Sequence, residues 1–284
     1  MTLKYGSVND IVKLAKRAKE NFRLLLELHF SDNFTNKRLM GAVFQWSKEI
    51  MEKLKNVDAL PEIVSIGHEI ENGFLFSEPT QGCIKSGGFI GSPVCQEKNS
   101  FFFASLLKSA INGIRSVSHS PRIMLHTSLG NQLHLGRNGA DNIIKFYSEL
   151  NDRWKVAFDV IGLTFYPILA QGCDLSKLQE LKYIYDYFDR RFPIVIAETG
   201  YPLTKPKVDF NSSYEYSEEG QYLFLRDLIR ICRDKLEGIC TGIFWNPAYV
   251  DDQRQLKMWQ GPLFDLTERT PLQVLTQGFR TDRN

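Results

Sequence analysis

The sequence predicts an α/β fold of the (β/α) TIM-barrel type, built as one domain over residues 1–284 and incomplete, with about six of the eight βα units. Strand-like apolar runs alternate with helical patterns, as in βαβ units on a parallel sheet. The 284 residues match the roughly 250 that such a barrel needs. Two of the runs end on a glutamate, Glu69 and Glu198, and the carboxyl ends of barrel strands carry the active site.

Each element is predicted from its local pattern. The first helix opens at Asn9 and Asp10, because apolar residues follow at helical spacing. Later helices are predicted at 43–54, 101–116, 141–150, 175–191 and 217–236. Short apolar runs predict strands at 22–30, 62–70, 122–127, 160–167, 193–200 and 241–249. The irregular stretch 72–99 follows a strand and is expected to form a wall of the site.

Charge and hydropathy exclude several classes of partner. The chain has 35 Lys and Arg against 33 Asp and Glu, without long charged blocks, so neither a nucleic acid nor a membrane surface is expected as partner. No apolar run approaches the ~18 residues of a membrane span. The first twenty residues form a lysine-rich amphipathic pattern, which differs from a signal peptide and indicates a cytoplasmic protein for the chain as written.

The five cysteines are expected to be mostly free thiols, as in intracellular proteins. Cys83 and Cys95 share one loop and would pair in an oxidising compartment. Metal-ligand spacing is lacking in the other three, Cys173, Cys232 and Cys240. No cofactor is expected; Asp251 and Asp252 are a weak hint of calcium and more often form a solvated turn.

Glu69 and Glu198 are the candidates for two-carboxylate chemistry. In a glycosidase one carboxyl group protonates the leaving oxygen, and a second one about 5 Å away attacks the anomeric carbon. Their pKa values must differ, because one group acts as an acid and the other as an ionised nucleophile. The alternative for either residue is a structural role, beside a helix N-cap or in a salt bridge.

Five segments in register resemble glycoside hydrolase family 53, the endo-β-1,4-galactanases. They are residues 28–32 (LHFSD), 64–76 (VSIGHEIENGFLF), 159–167 (DVIGLTFYP), 197–202 (AETGYP) and 242–248 (GIFWNPA). The resemblance runs from about residue 5 to 265 and includes 14–19 (LAKRAK) in the first helix. It implies an eight-stranded (β/α) barrel, of which this chain would hold strands three to eight, and galactan or arabinogalactan as substrate.

By this resemblance Glu69 is the general acid/base and Glu198 the nucleophile of a retaining double displacement. The remaining matched positions line the sugar site: His29, Asp32, His68, His126, Tyr166 and Trp245. Trp245 would form a stacking floor, and Tyr166 would hydrogen-bond the nucleophile. Structural roles stay open for others, since His29 and His126 also suit core histidines and Asp32 suits a turn cap.

The sequence also departs from the family pattern. His68 stands where the family has an Asn that would bind the sugar 2-hydroxyl, and Asn246 stands where the family has a Glu. Phe34 and Phe76 replace two tryptophans, and the loop at 33–39 looks short. The first two family strands and an Arg beside the nucleophile have no counterpart.

These departures support an alternative function, a catalytically impaired galactan-binding relative. They also leave two open barrel edges, and unpaired strand edges invite pairing. The alternatives are self-association through these edges, completion by a separate polypeptide, or a truncated gene model. The resemblance implies an extracellular protein if a preceding segment carried a signal.

Overall fold

The structure, a computed structural model, describes residues 7–20, 22–30, 39–74, 88–167, 174–203, 205 and 212–246. Helices and strands alternate along these residues. The helices are α1 Val8–Lys19, α2 Leu39–Asn56, α3 Glu97–Arg115, α4 Arg137–Ser148, α5 Glu180–Tyr187 and α6 Glu218–Arg230. The strands are β1 Leu25–Leu28, β2 Ile63–Ile66, β3 Arg122–Thr127, β4 Val160–Thr164, β5 Ile194–Thr199 and β6 Cys240–Trp245.

The strands form one six-stranded sheet in chain order, from β1 to β6. The pairs β1–β2, β2–β3 and β5–β6 are parallel. A helix stands between each strand and the next, as is usual in the crossover that joins two parallel strands. The predicted incomplete (β/α) barrel with six strands is therefore confirmed.

The chain divides into two compact units, and the first comprises Thr2–Thr127 and Asn142–Gly162. Every residue of β2 is buried, which explains its unbroken apolar sequence. Helices α2 and α3 pack closely, and a Cβ on Gly113 of α3 would lie 2.4 Å from the carbonyl oxygen of Phe44. Glycine at this position therefore permits the close approach of the two helices.

The second unit comprises Ser128–Asp141 and Leu163–Asn284, together with Met1. The first three residues of β5 are buried, and Glu198 and Thr199 form the carboxyl end of this strand. Helix α6 begins after Ser217, whose side chain accepts a hydrogen bond from the Gly220 N–H, as the sequence predicts for an N-cap. The expectation of a single catalytic domain stays a prediction.

The strand boundaries differ from the prediction at the functional end of β2. The apolar run predicts a strand over 62–70, whereas β2 ends at Ile66. Gly67 has φ +80°, and a Cβ there would lie 2.2 Å from Ile70 Cγ2, so the chain turns at a position that only glycine fits. Residues 70–72 then continue as a short 3₁₀ segment.

The cysteines correct one expectation. Cys232 and Cys240 form a disulfide, which contradicts the prediction of free thiols. A π-helical turn at Ile231–Lys235 follows α6 and returns the chain to the start of β6, and this return places the two cysteines side by side. Cys95 is also disulfide-bonded, whereas Cys83, its predicted partner, lies outside the described residues.

None of the described helices combines the length and the apolar character that crossing a bilayer requires. Asp251 and Asp252, the weak calcium candidates, lie outside the part of the chain that the structure describes.

Candidate active site

The turn after β2 carries His68 and Glu69. Glu69 adopts a left-handed backbone conformation, with φ 49° and ψ 58°. This conformation is uncommon for a residue other than glycine, and such positions cluster at active sites. Both side chains are half-buried. The predicted acid/base therefore lies in a tight turn at the carboxyl end of its strand.

Glu27 of β1 connects two of the predicted site histidines. The Nδ1 atom of His68 donates a 2.9 Å hydrogen bond to Glu27 Oε1, and Nδ1 of His126 donates one of 2.9 Å to Oε2. An ionised carboxylate only accepts hydrogen bonds, so the imidazoles are the donors. Sequence analysis missed Glu27, although a carboxylate among the leucines of the run 22–30 was a usable signal.

The hydrogen bonds keep the Glu27 carboxyl group ionised. Burial opposes ionisation, but the hydrogen bonds from His126 and His68 and the positive charge that these imidazoles carry when protonated outweigh it. Together they lower the pKa of Glu27 from 4.5 to about 2. This unit therefore holds a fixed negative charge beside the turn that carries Glu69.

The histidine rings also pack against each other. His29 stacks on His68 with ring centroids 5.1 Å apart and an interplanar angle of 28°. His68 meets His126 edge-on at 5.1 Å. His126 is 1% exposed, whereas His29 is exposed. The predicted sugar-site histidines of this unit are thus brought together, and His126 has the burial expected of a core histidine as well.

In the second unit, Glu198 is held by two side chains. The Tyr166 hydroxyl donates to Glu198 Oε1 at 2.7 Å, and the Asn246 Nδ2 amide donates to the same oxygen at 2.7 Å. The predicted hydrogen bond between Tyr166 and this carboxylate is confirmed. The part played by Asn246 was missed, because sequence analysis noted it only as a departure from the family pattern.

Backbone contacts fix the residues around Glu198. The Tyr166 N–H donates to Asn131 Oδ1 at 2.7 Å, and the Asn246 N–H donates to the Thr199 carbonyl at 2.8 Å. The Thr199 hydroxyl donates to the Phe165 carbonyl at 2.6 Å. These bonds hold together the ends of β4, β5 and β6, so the fold itself positions Tyr166 and Asn246.

Trp245 is the last residue of β6. It packs against Leu225 of α6, and its ring centroid lies 6.2 Å from that of Phe224. Its Nε1 is buried and has no hydrogen-bond partner among the described residues. The predicted role of this ring as a floor for a sugar stays a prediction. Asp32, Phe34 and Phe76 lie outside the described residues.

One group in the first unit has the composition of a metal site. Glu27, His68 and His126 offer ligand atoms within 4.8 Å of one another, and two histidines with one carboxylate can bind a divalent ion. Both carboxylate oxygens already accept hydrogen bonds from the imidazoles. A metal ion would have to displace those two protons.

Comparison with known proteins identifies the family of the chain. The sequence model of Glycosyl hydrolase family 53 matches residues 1–268. The chain is 29% identical over 279 residues to an uncharacterised protein encoded in the bgaB 5′ region of Niallia circulans, covering 88% of this chain and 71% of that protein. It is 27% identical over 264 residues to an arabinogalactan endo-β-1,4-galactanase of Thermothelomyces thermophilus, covering 84% and 72%.

A solved structure of a fungal β-1,4-galactanase shares the fold. It superposes with a TM-score of 0.75 at 23% identity, covering 96% of this chain and 82% of that one. The GH53 catalytic domain of Ignisphaera aggregans gives a TM-score of 0.73 at 26% identity, covering 96% and 78%. Since the family model spans nearly the whole sequence, the chain belongs to glycosyl hydrolase family 53.

Proposed function

We propose that the protein is a retaining endo-β-1,4-galactanase that cleaves internal bonds of galactan or arabinogalactan. Family membership and similarity to an arabinogalactan endo-β-1,4-galactanase support this substrate class. The observation that carries the proposal is the pair of 2.7 Å hydrogen bonds from Tyr166 and Asn246 to Glu198 Oε1. Two donors on one oxygen orient the carboxylate, and a nucleophile needs a fixed orientation towards the carbon that it attacks.

The proposed reaction has two steps. Glu198 attacks the anomeric carbon while Glu69 donates a proton to the leaving oxygen, which gives a covalent glycosyl-enzyme ester. Glu69 then removes a proton from water, which attacks the same carbon and releases the sugar with retained configuration. This chemistry requires the two carboxyl groups to lie about 5–5.5 Å apart in the working enzyme. It uses no cofactor.

We assign substrate-binding roles to His29, Asp32, His68, His126 and Trp245. Indole faces suit the apolar C–H side of a pyranose, and imidazoles suit its hydroxyl groups. A second candidate function is a galactan-binding protein with impaired catalysis. It is favoured by His68, which replaces the family Asn and already uses its Nδ1 on Glu27.

Release of reducing ends from potato galactan separates the two functions. We expect turnover by the wild type and a loss of at least roughly 10³-fold in kcat for Glu198→Gln, because that variant lacks the nucleophile. A second variant, Glu69→Gln, removes the proposed acid/base, and Glu62→Gln is its matched control. Glu62 directly precedes β2, at the opposite end from Glu69, and it is exposed and paired with Arg23.

A nitrophenyl β-galactobioside distinguishes the two proposed roles. Its leaving group departs without protonation, so Glu69→Gln should still release a burst of nitrophenol in the first step, whereas Glu198→Gln should release none. If the wild type releases no more than Glu198→Gln from either substrate and still binds the polymer, the binding function replaces the enzymatic one.

We also propose that the protein works in an oxidising compartment. The disulfide between Cys232 and Cys240 and the disulfide-bonded state of Cys95 support this proposal, because disulfides persist mainly in secreted proteins. Titration of free thiols in the protein purified without reductant tests it. Reactive thiols at Cys232 and Cys240 in protein taken from its native host would contradict it.

A further inference from the structure

Asn131 supplies a hydrogen-bond acceptor to the backbone beside the proposed nucleophile. Its Oδ1 accepts the Tyr166 N–H at 2.7 Å, and Tyr166 is 2% exposed. A buried backbone N–H needs a partner, because leaving it unpaired costs about as much as a lost hydrogen bond. Tyr166 lies just beyond the end of β4 at Thr164, so here a side chain serves in place of a strand carbonyl.

The preceding residue, Phe165, is bonded to β5 instead. Its N–H donates to the Glu198 carbonyl at 2.8 Å, and its carbonyl accepts the Thr199 hydroxyl at 2.6 Å. The bond from Asn131 acts on the next residue, Tyr166, whose hydroxyl donates to Glu198 Oε1 at 2.7 Å. The chain after β4 is thus held by two elements, and Asn131 holds the residue that contacts the proposed nucleophile.

A glycine brings Asn131 to this position. Gly130 is buried, and a Cβ there would lie 2.4 Å from the Thr164 carbonyl oxygen and 2.9 Å from Leu163 Cβ. A larger residue would therefore push the 3₁₀ segment Ser128–Leu135 away from β4. The close approach at Gly130 lets the short side chain of the next residue reach the backbone that follows β4.

The backbone of Asn131 is anchored within its own segment. The Nδ1 atom of His134 donates to the Asn131 carbonyl at 2.8 Å, because a carbonyl can only accept. The 3₁₀ segment has eight residues, whereas runs longer than three or four are uncommon. This side-chain bond and the packing of Gly130 hold the segment against β4, so Asn131 presents Oδ1 from a fixed backbone.

We propose that Asn131 is a positioning residue of the active site: its Oδ1 fixes the backbone of Tyr166, and the Tyr166 hydroxyl in turn orients the Glu198 carboxylate. The part of this inference that concerns Glu198 as a nucleophile rests on the proposed function. Asn131 acts through Tyr166, so its effect on catalysis should vanish when the Tyr166 hydroxyl is removed.

Both hydrogen bonds can be measured without any activity. We would label the full chain with tyrosine that carries ¹⁵N and ¹³Cζ, and assign Tyr166 as the signals absent from Tyr166→Phe. Amide exchange with D₂O reports the bond to Asn131, and the ¹³Cζ shift reports the bond to Glu198. We expect Asn131→Ala to speed exchange of the Tyr166 amide by roughly 2- to 10-fold, and to move its ¹³Cζ signal towards the position found in Glu198→Gln. Asn131→Asp keeps the acceptor and should retain slow exchange.

A double-variant cycle tests the route through Tyr166. We expect Asn131→Ala to lower kcat/KM on galactan by about tenfold, because a small displacement of a reacting group slows the reaction. The same substitution should have no further effect in Tyr166→Phe, whereas a general loss of folded protein would lower kcat/KM by the same factor in both backgrounds. Asn138→Ala is the matched control, because Asn138 is an exposed asparagine of the same unit, near the start of α4. It should change neither the Tyr166 signals nor kcat/KM.

The outcomes separate this inference from the proposed function. An inactive wild type whose Tyr166 amide and ¹³Cζ signals respond to Asn131→Ala as expected would refute the galactanase and support the positioning of Glu198. A Tyr166 amide that exchanges in the wild type as fast as an unstructured peptide would overturn the inference even if Asn131→Ala failed to fold. Equal losses in the two backgrounds of the cycle, or a ¹³Cζ signal unmoved by Asn131→Ala, would overturn it too.

Discussion

The Tyr166 hydroxyl donates a 2.7 Å hydrogen bond to Glu198 Oε1, and Tyr166 itself is 2% exposed. The phenol therefore bonds the proposed nucleophile from inside the protein, where water competes poorly. Its backbone N–H is in turn held by Asn131. The fold therefore sets the position of this hydroxyl.

We expect Tyr166→Phe to lower kcat/KM on galactan by about 10- to 100-fold. The variant loses a hydrogen bond to a charged group, which contributes about 1.5–3 kcal/mol, and 1.4 kcal/mol is tenfold in rate. Release of reducing ends measures it.

Tyr147→Phe is the control for Tyr166→Phe. The Tyr147 hydroxyl is fully buried and donates to the carbonyls of Leu125 and Gly162. Its removal should lower the free energy of unfolding by about 1–3 kcal/mol and leave kcat/KM unchanged. Equal kinetic losses in the two variants would contradict a specific role for Tyr166.

The order of elements was predictable because the patterns that encode them are local. The β2 sequence is apolar throughout and is buried throughout, and the Arg122–Thr127 strand has the predicted bounds. The end of β2 was less predictable. The predicted strand extends to Ile70, whereas the positive φ of Gly67 shows that the strand stops before this glycine.

Candidate site residues were predictable where they follow a strand, because the carboxyl ends of barrel strands carry the active site. Glu198 stands at the end of β5, Glu69 in the turn after β2, and Tyr166 just after the end of β4. Glu27 was missed because its importance comes from His68 and His126, which are 41 and 99 residues away in sequence. The pairing of Cys232 with Cys240 depends on a π-helical turn that no spacing rule predicts.

Asn246 gives a second test of Glu198 as the proposed nucleophile. We expect Asn246→Ala to lower kcat/KM by about tenfold, because one donor to Glu198 is lost. Asn246→Asp should lower it further, because it places a second carboxylate against the first. Steady-state kinetics on galactan measure both. An Asp variant more active than the Ala variant would show that the amide does not serve the charge of Glu198.

Glu27 should make the free energy of unfolding depend on pH in the acidic range. Its pKa is about 2 in the folded protein against an ordinary 4.5, so the unfolded chain binds the proton more tightly. The stabilisation is therefore complete above pH 4.5 and is lost as the pH falls towards 2. Its size is roughly 3 kcal/mol, since one pKa unit corresponds to about 1.4 kcal/mol.

Urea unfolding of the wild type and Glu27→Gln at several pH values measures this dependence. The difference in free energy of unfolding between the two proteins should be largest near neutrality and shrink in acid. A difference that stays constant with pH would mean that the carboxylate is not held ionised by His68 and His126.

The disulfide between Cys232 and Cys240 should stabilise the second unit. It closes a short loop of sequence separation 8, and the chain-entropy relation gives roughly 2–3 kcal/mol for such a loop. We expect the Cys232→Ala/Cys240→Ala double variant to melt roughly 5 °C lower in calorimetry. Reductant should still lower the melting temperature of the double variant, because Cys95 is in a separate disulfide. An unchanged melting temperature would contradict the prediction.

The two end strands of the sheet predict self-association. In the described sheet β1 has only β2 as neighbour and β6 has only β5, and an unpaired strand edge invites pairing with another chain. Phe244 of β6 is also 40% exposed. We expect light scattering to give a mass above the 32.7 kDa of one chain.

Phe244→Lys should lower that mass, because a charge at the edge opposes strand pairing. Leu135→Lys is the control, since Leu135 is 51% exposed but lies in a 3₁₀ segment. A monomeric wild type with a cooperative thermal transition would show that the edges are satisfied within one chain.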